Sequence, residues 1–153
     1  MAYNEAFMRA AIVEAQSAMK NGEAPIGAVV VYKNEIIGRG ANTRETTNAI
    51  SGHAEINALE AAAKHIGGWQ LDGCDIYVTL EPCPMCAGAI LQSRIRNLYF
   101  GARDEKAGAC GAVTDLFRPG LFNHDTVVFG GVLEDECRAL LREFFGKLRN
   151  KKD

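Results

Sequence analysis

Apolar positions recur with a helical period at both ends of the chain and form short unbroken runs between them. Near the start, Tyr3, Phe7, Ala11, Ala15, Ala18 and Met19 share one face at helical spacing, and Asn21-Gly22 closes the segment as a C-terminal cap would. Residues 26–32 are a continuous apolar run. The polar Lys33-Asn34-Glu35 then leads into Ile36-Ile37, which predicts two strands joined by a short turn. Residues 41–51 are polar and aperiodic, hence a loop. From His53 the helical period returns, with Ile56, Leu59, Ala62 and Ala63 on one side, His53 and Glu55 in the first turn and Gly67-Gly68 as the stop. Residues 75–80 predict a strand that ends before Pro82 and hands over to a helix rich in small residues, Ala87, Gly88 and Ala89. A strand at 97–101, a Gly/Ala-rich loop at 103–111 and a short last strand at 127–129 follow. The C-terminal helix is the best patterned: Cys137, Leu140, Leu141, Phe144, Phe145 and Leu148 line one face, and Glu134, Asp135 and Glu136 occupy the first turn, where the helix dipole favours acids.

Strands alternating with helices imply parallel crossovers and helices on both faces of one sheet, an α/β fold built as a three-layer α/β/α sandwich. With 153 residues, 48% of them hydrophobic, the chain is expected to form one domain, 1–153, with a full core. Its N-terminus has no basic region followed by an apolar run, and no window approaches the roughly 20 apolar residues that cross a bilayer. The expectation is a cytoplasmic protein with no membrane partner. Five cysteines, two of them in a C-x-x-C pair, then point to metal or redox chemistry rather than a disulfide framework. Cys74, Cys110 and Cys137 lack such spacing and are read as core or near-surface thiols. The net charge of -2 hides an asymmetry, because residues 138–152 hold six of the 17 Lys/Arg and one of the 19 Asp/Glu. A basic segment on an acidic body can meet phosphates or can be a solvated tail.

Chemistry concentrates at Pro82. A strand that stops there and passes into a helix puts Cys83 and Cys86 in the first helical turn, at the positive end of the dipole, where thiols are poised to ionise. Alone, such a pair is equally a structural zinc half-site or a redox pair. A catalytic zinc takes three protein ligands and leaves one position for water. His53, which also opens a helix, is the best third ligand. Glu55, two positions on, does not share the ligand's direction, so it can lie beside the bound water and move its proton. Together these residues form H-x-E followed by P-C-x-x-C, a known signature of zinc deaminases.

At His53-Ala54-Glu55 and at residues 79–90, T-L-E-P-C-P-M-C-A-G-A-I, the chain resembles the cytidine and deoxycytidylate deaminase superfamily. It is most similar to the bacterial tRNA-specific adenosine deaminases, which convert the wobble adenosine of an anticodon to inosine. The likeness continues through residues 22–29, 99–104, Asn123-His124 and 135–137, and so covers nearly the whole chain. It implies a cytidine deaminase-like fold with a central mixed five-stranded sheet, and one Zn2+ per chain on His53, Cys83 and Cys86. Glu55 would be the proton shuttle as zinc-activated hydroxide attacks C6 of a flipped-out adenine and ammonia leaves. Asn42 would hydrogen-bond the base in a pocket lined by Pro25, Ile26 and Ala28, with Ala54 and Asp104 also in contact. Phe144 and Phe145, with the basic tail, would meet the tRNA anticodon stem-loop, which lies across a homodimer. Residues 48–52, N-A-I-S-G, depart from the family's Asp-Pro-Thr-Ala pattern. Two further readings therefore stand beside the first: a guanine or other free base or nucleoside deaminase, and a non-catalytic, zinc-stabilised RNA-binding subunit.

Overall fold

Five strands make one mixed sheet, and the alternation of side chains along them sorts the core into two layers. In a computed structural model, which describes residues 3–152, the elements are α1 (Glu5–Lys20), β1 (Gly27–Tyr32), β2 (Glu35–Ala41), α2 (Arg44–Thr47), α3 (Ala54–Ile66), β3 (Cys74–Leu80), α4 (Pro84–Gln92), β4 (Asn97–Ala102), β5 (Val127–Phe129) and α5 (Glu134–Lys152). Met1, Ala2 and Asp153, and the side chains of Lys151 and Lys152 at the end of the basic segment, lie outside the described residues. The sheet order is β2-β1-β3-β4-β5; β1 runs antiparallel to both neighbours, and β3, β4 and β5 are parallel. Ala28, Val30, Ile76, Val78, Leu98 and Phe100 face α3 and α4, while Val29, Val31, Tyr77 and Tyr99 face α1 and α5. The three-layer sandwich with a mixed five-stranded sheet is thus the fold.

Three departures from the sequence reading bear on the site. First, β2 runs four residues past Ile37, through Gly38-Arg39-Gly40-Ala41, a stretch too glycine-rich to read as a strand. The glycines are there for α3. A Cβ at Gly40 would lie 2.2 Å from the carbonyl oxygen of Ala54 and 2.5 Å from the nitrogen of Ala58, and one at Gly38 would lie 2.4 Å from the carbonyl oxygen of Ala58. The helix answers with Ala54, Ala58 and Ala62 at four-residue spacing, all fully buried, so helix and strand meet backbone to backbone.

Second, His53 and Cys83 are not in their first helical turns but one residue earlier, at the N-cap positions of α3 and α4. Third, the loop expected at 41–51 contains the short helix α2. Its N-cap, Thr43, makes no side-chain cap bond. The buried Glu23 does that work from outside: its carboxylate accepts the N–H groups of Glu45 at 3.1 Å and Thr46 at 2.6 Å, and the Thr46 hydroxyl as well. Burial by itself would raise this carboxyl, but the Thr46 hydroxyl and N–H, the Glu45 N–H and the charge of Arg44 outweigh it and hold Glu23 below its ordinary 4.5.

Gly40→Ala should press α3 off the sheet. We expect a loss of about 1–3 kcal/mol in denaturant unfolding. Removing the Glu23 carboxylate by Glu23→Ala should cost on the order of 1–2 kcal/mol at neutral pH. Since its folded value is depressed, this contribution is present above 4.5 and is lost as pH falls through the folded value. Wild type and variant should therefore converge in stability at acid pH.

Candidate metal centre and adjoining cavity

The ends of β2, β3 and β4 meet at one edge of the sheet, and each delivers part of a site there: Ala41 leads to Asn42, Leu80 to Glu81 and Cys83, and Ala102 to Arg103 and Asp104. His53 and Cys83 stand at N-caps with extended backbone, and neither side chain caps its own helix. Both are thereby free to face each other. Pro84 fits the first helical position of α4, where its missing N–H costs nothing, and Cys86 follows within that turn. His53 Nδ1 lies 3.6 Å from Cys83 Sγ and 3.4 Å from Cys86 Sγ, and all three ligand atoms fall within 4.8 Å of one another. Bonds of about 2.3 Å to sulfur and about 2.0 Å to nitrogen at a tetrahedral angle would separate N and S by about 3.5 Å. The group could therefore hold a metal ion.

Proton affinities around this group are far from ordinary. Burial raises the Glu55 carboxyl to about 7; its own backbone N–H opposes the shift, and the charge of Cys83 adds to it. The Cys83 thiol is lowered to about 5, chiefly because Cys86 hydrogen-bonds to it. Burial resists, while the backbone N–H groups of Cys86 and Met85 and the charge of His53 assist. Cys86 is pushed up, first by donating to Cys83 and then by burial. A metal taking the place of that shared proton would favour both thiolates.

Beside the group opens a cavity of about 540 Å³. His53, Glu55 and Cys83 line it, and so do Ile26, Asn42, Ala54, Asp104 and Phe145 from the expected substrate contacts. Cys86 lies behind the wall, fully buried. Three expected contacts do not reach the cavity. Ala28 is fully buried in the core facing α3 and α4, Pro25 is buried beside Ile26, and Phe144 stands edge-on to Phe145 with ring centres 5.3 Å apart, one helical step away from the opening. Asn42 is held by its own loop, its Oδ1 accepting the N–H of Arg44 at 3.2 Å.

The cavity also has walls that the sequence reading missed: Arg44, Glu81, Arg103, Glu105, Lys106 and Leu141. One signal was available for Arg103 and Lys106. Ligands of α/β sheets bind outside the carboxyl ends of the strands, and these residues follow β4 directly as Glu81 follows the parallel β3. A second groove, of about 670 Å³, shares Lys106, Leu141 and Phe145 with the cavity and adds Arg138, Arg142 and Arg149. The basic C-terminal segment is therefore continuous with the site.

Comparison with known proteins agrees with this geometry. The model of the MafB19-like deaminase family matches residues 2–149. A tRNA-specific adenosine deaminase of Bacillus subtilis is 48% identical over 99% of this chain and 94% of its own length. One from Haemophilus influenzae is 46% identical over 98% and 87%. A solved structure from studies of A-to-I editing by tRNA:A34 deaminases at the wobble position of transfer RNA superposes with a TM-score of 0.84 at 41% identity, covering 90% of this chain and all of that one. A guanine deaminase from Nitrosomonas europaea reaches 0.81 at 27% identity, over 95% and 86%. The chain belongs to the MafB19-like deaminase family, and its relatives at 46–48% identity are tRNA-specific adenosine deaminases.

Proposed function

We propose that this protein is a zinc-dependent hydrolytic deaminase that converts adenosine to inosine at the wobble position of a tRNA anticodon. One observation carries the reading: a buried carboxyl with a proton affinity near 7, Glu55, adjoins a His-Cys-Cys group at the head of a cavity that continues into a cationic groove. His53 Nδ1 and the sulfurs of Cys83 and Cys86 would hold one zinc per chain, which supplies the Lewis acidity that makes water a nucleophile near neutral pH. Glu55 would act as the proton shuttle, accepting a proton from the attacking water and giving one to the amino group of C6 that leaves as ammonia. A group poised near the working pH suits both transfers. Burial keeps Glu55 from losing its proton to bulk solvent.

Asn42 addresses the base through its amide, Ile26 and Ala54 offer apolar contact, and the base reaches them by leaving its stack. Arg44, Arg103 and Lys106 rim the cavity where flanking phosphates would pass, and Arg138, Arg142 and Arg149 extend that path along α5. Phe145, half-exposed where the two hollows meet, offers a face for an unpaired base. The relatives at 46–48% identity bear adenosine-deaminase names and the guanine deaminase stands at 27%, which favours adenosine. We further propose a single domain, 1–153, acting as a homodimer in the cytoplasm. Trp69 and Phe122 are exposed beside Gly88 of α4, above which there is open space, so this apolar face suits a second copy. No helix of the described residues is long and apolar enough to cross a membrane.

Incubating the zinc-loaded protein with an anticodon stem-loop carrying adenosine at the wobble position should yield inosine there. Ammonia from free guanine with no inosine in the stem-loop would replace the substrate assignment. Glu55→Gln should lower turnover by roughly 10²–10⁴-fold while folding and metal content persist; undiminished biological function in that variant would instead identify a non-catalytic RNA-binding subunit. Elemental analysis should find about one zinc per chain. That content should fall in Cys83→Ala and stay unchanged in Cys74→Ala.

A further inference from the structure

Glu81 shares the Pro82 turn with the metal-binding group, yet the chemistry gives it no task. It is 1% exposed, and its carboxylate accepts three backbone N–H groups: Asp104 on Oε1 at 3.0 Å, and Cys110 and Ala112 on Oε2 at 2.9 and 3.1 Å. All three belong to the loop that follows β4. Gly108 makes the room, since a Cβ there would lie 2.5 Å from Oε2. The same loop is tied to the turn by the Ala109 N–H, which donates to the carbonyl of Pro82 at 2.8 Å. Within it, Asp104 Oδ1 accepts the N–H groups of Lys106 and Ala107 at 3.0 and 3.2 Å. The loop thus wraps around a carboxylate anchored to the end of β3. Its near side, Arg103 to Ala107, is one wall of the cavity.

We propose that Glu81 is a positioning residue for substrate, acting through the loop backbone to hold Arg103 and Lys106 where the phosphates flanking the reacting base pass. This rests on the reading of the protein as an RNA deaminase. His53, Glu55, Cys83 and Cys86 sit at the starts of α3 and α4, and none is borne by the loop. A loosened loop is therefore felt in binding and spares the chemical step. Global destabilisation would do the reverse, lowering the active fraction and hence apparent kcat at constant KM.

The test is steady-state kinetics of the full zinc-loaded chain on an anticodon stem-loop, with zinc content measured in each sample. In Glu81→Gln an NH2 group replaces one oxygen and faces a backbone N–H, so at least one loop amide loses its acceptor at unchanged volume. KM should rise by about tenfold with kcat within about twofold of wild type, and the amides of Asp104, Cys110 and Ala112 should exchange faster with solvent. Gly108→Ala presses on the same carboxylate from the loop side and should reproduce the split, which keeps the test available if Glu81→Gln does not fold. A fall in kcat at unchanged KM, or unaltered kinetics with unaltered exchange, overturns the inference while leaving an active wild type as an RNA deaminase. A wild type that forms no inosine overturns the functional reading itself, and exchange at the three amides then still decides whether the clamp exists.

Discussion

The height at which α3 lies on the sheet governs the rest of the molecule. A helix normally rides on a sheet at side-chain distance, but here Gly38 and Gly40 remove that spacing, and Ala54, Ala58 and Ala62 complete a backbone-to-backbone seat. Because His53 stands at the N-cap position of this helix, the seat fixes where the imidazole emerges. Cys83 stands at the N-cap position of α4, whose start is fixed by the end of β3 at Pro82. Two separately anchored helix starts must therefore bring nitrogen and sulfur to 3.4–3.6 Å. Metal–ligand distances tolerate only about 0.2 Å, so one methyl group at Gly40 acts directly on the ligand set.

Three buried acids divide the labour around that centre. Glu23 binds the first turn of α2 and so holds the segment bearing Asn42 and Arg44, and Glu81 binds the loop bearing Arg103 and Lys106. Each is met by backbone N–H groups from a distant segment, a way of burying a carboxylate that also fixes the segment. Glu55 lacks such an arrangement. With its own N–H and Cys86 as the partners that lower it, it is left near 7, where a carboxyl can give and take a proton. One residue type is thus held ionised as a clamp or left near neutrality according to how many donors surround it.

Hydrophobic periodicity was enough to read α1, α3, α5 and the strands β1 and β3, because each buries one face or both against the core. That His53, Cys83 and Cys86 come together as a group able to hold a metal was legible too, since they belong to short motifs whose chemistry is tied to spacing. What could not be read depends on contacts far apart in sequence. The extension of β2 through two glycines makes sense only once α3 is laid upon it. The helix α2 has poor local capping and is held by Glu23, more than 20 residues away along the chain. The exclusion of Ala28 from the cavity and of Phe144 from the groove is likewise a matter of which face is turned inward, and family likeness gives no account of that face.

A net charge of -2 is a poor guide to affinity for a polyanion. Exposed charges are screened beyond about 8–10 Å at physiological ionic strength, so a bound strand senses the charges along its path and little of those on the far side. Along the cavity and groove here lie Arg44, Arg103, Lys106, Arg138, Arg142 and Arg149 against Asp104 and Glu105. Arg138 is paired with Glu134 one turn earlier, and both side chains are half-buried. The acids that balance the total are partly consumed as buried clamps, where Glu23 and Glu81 project little field outward. A near-neutral total thus coexists with a cationic track that ends at the cavity beside Glu55.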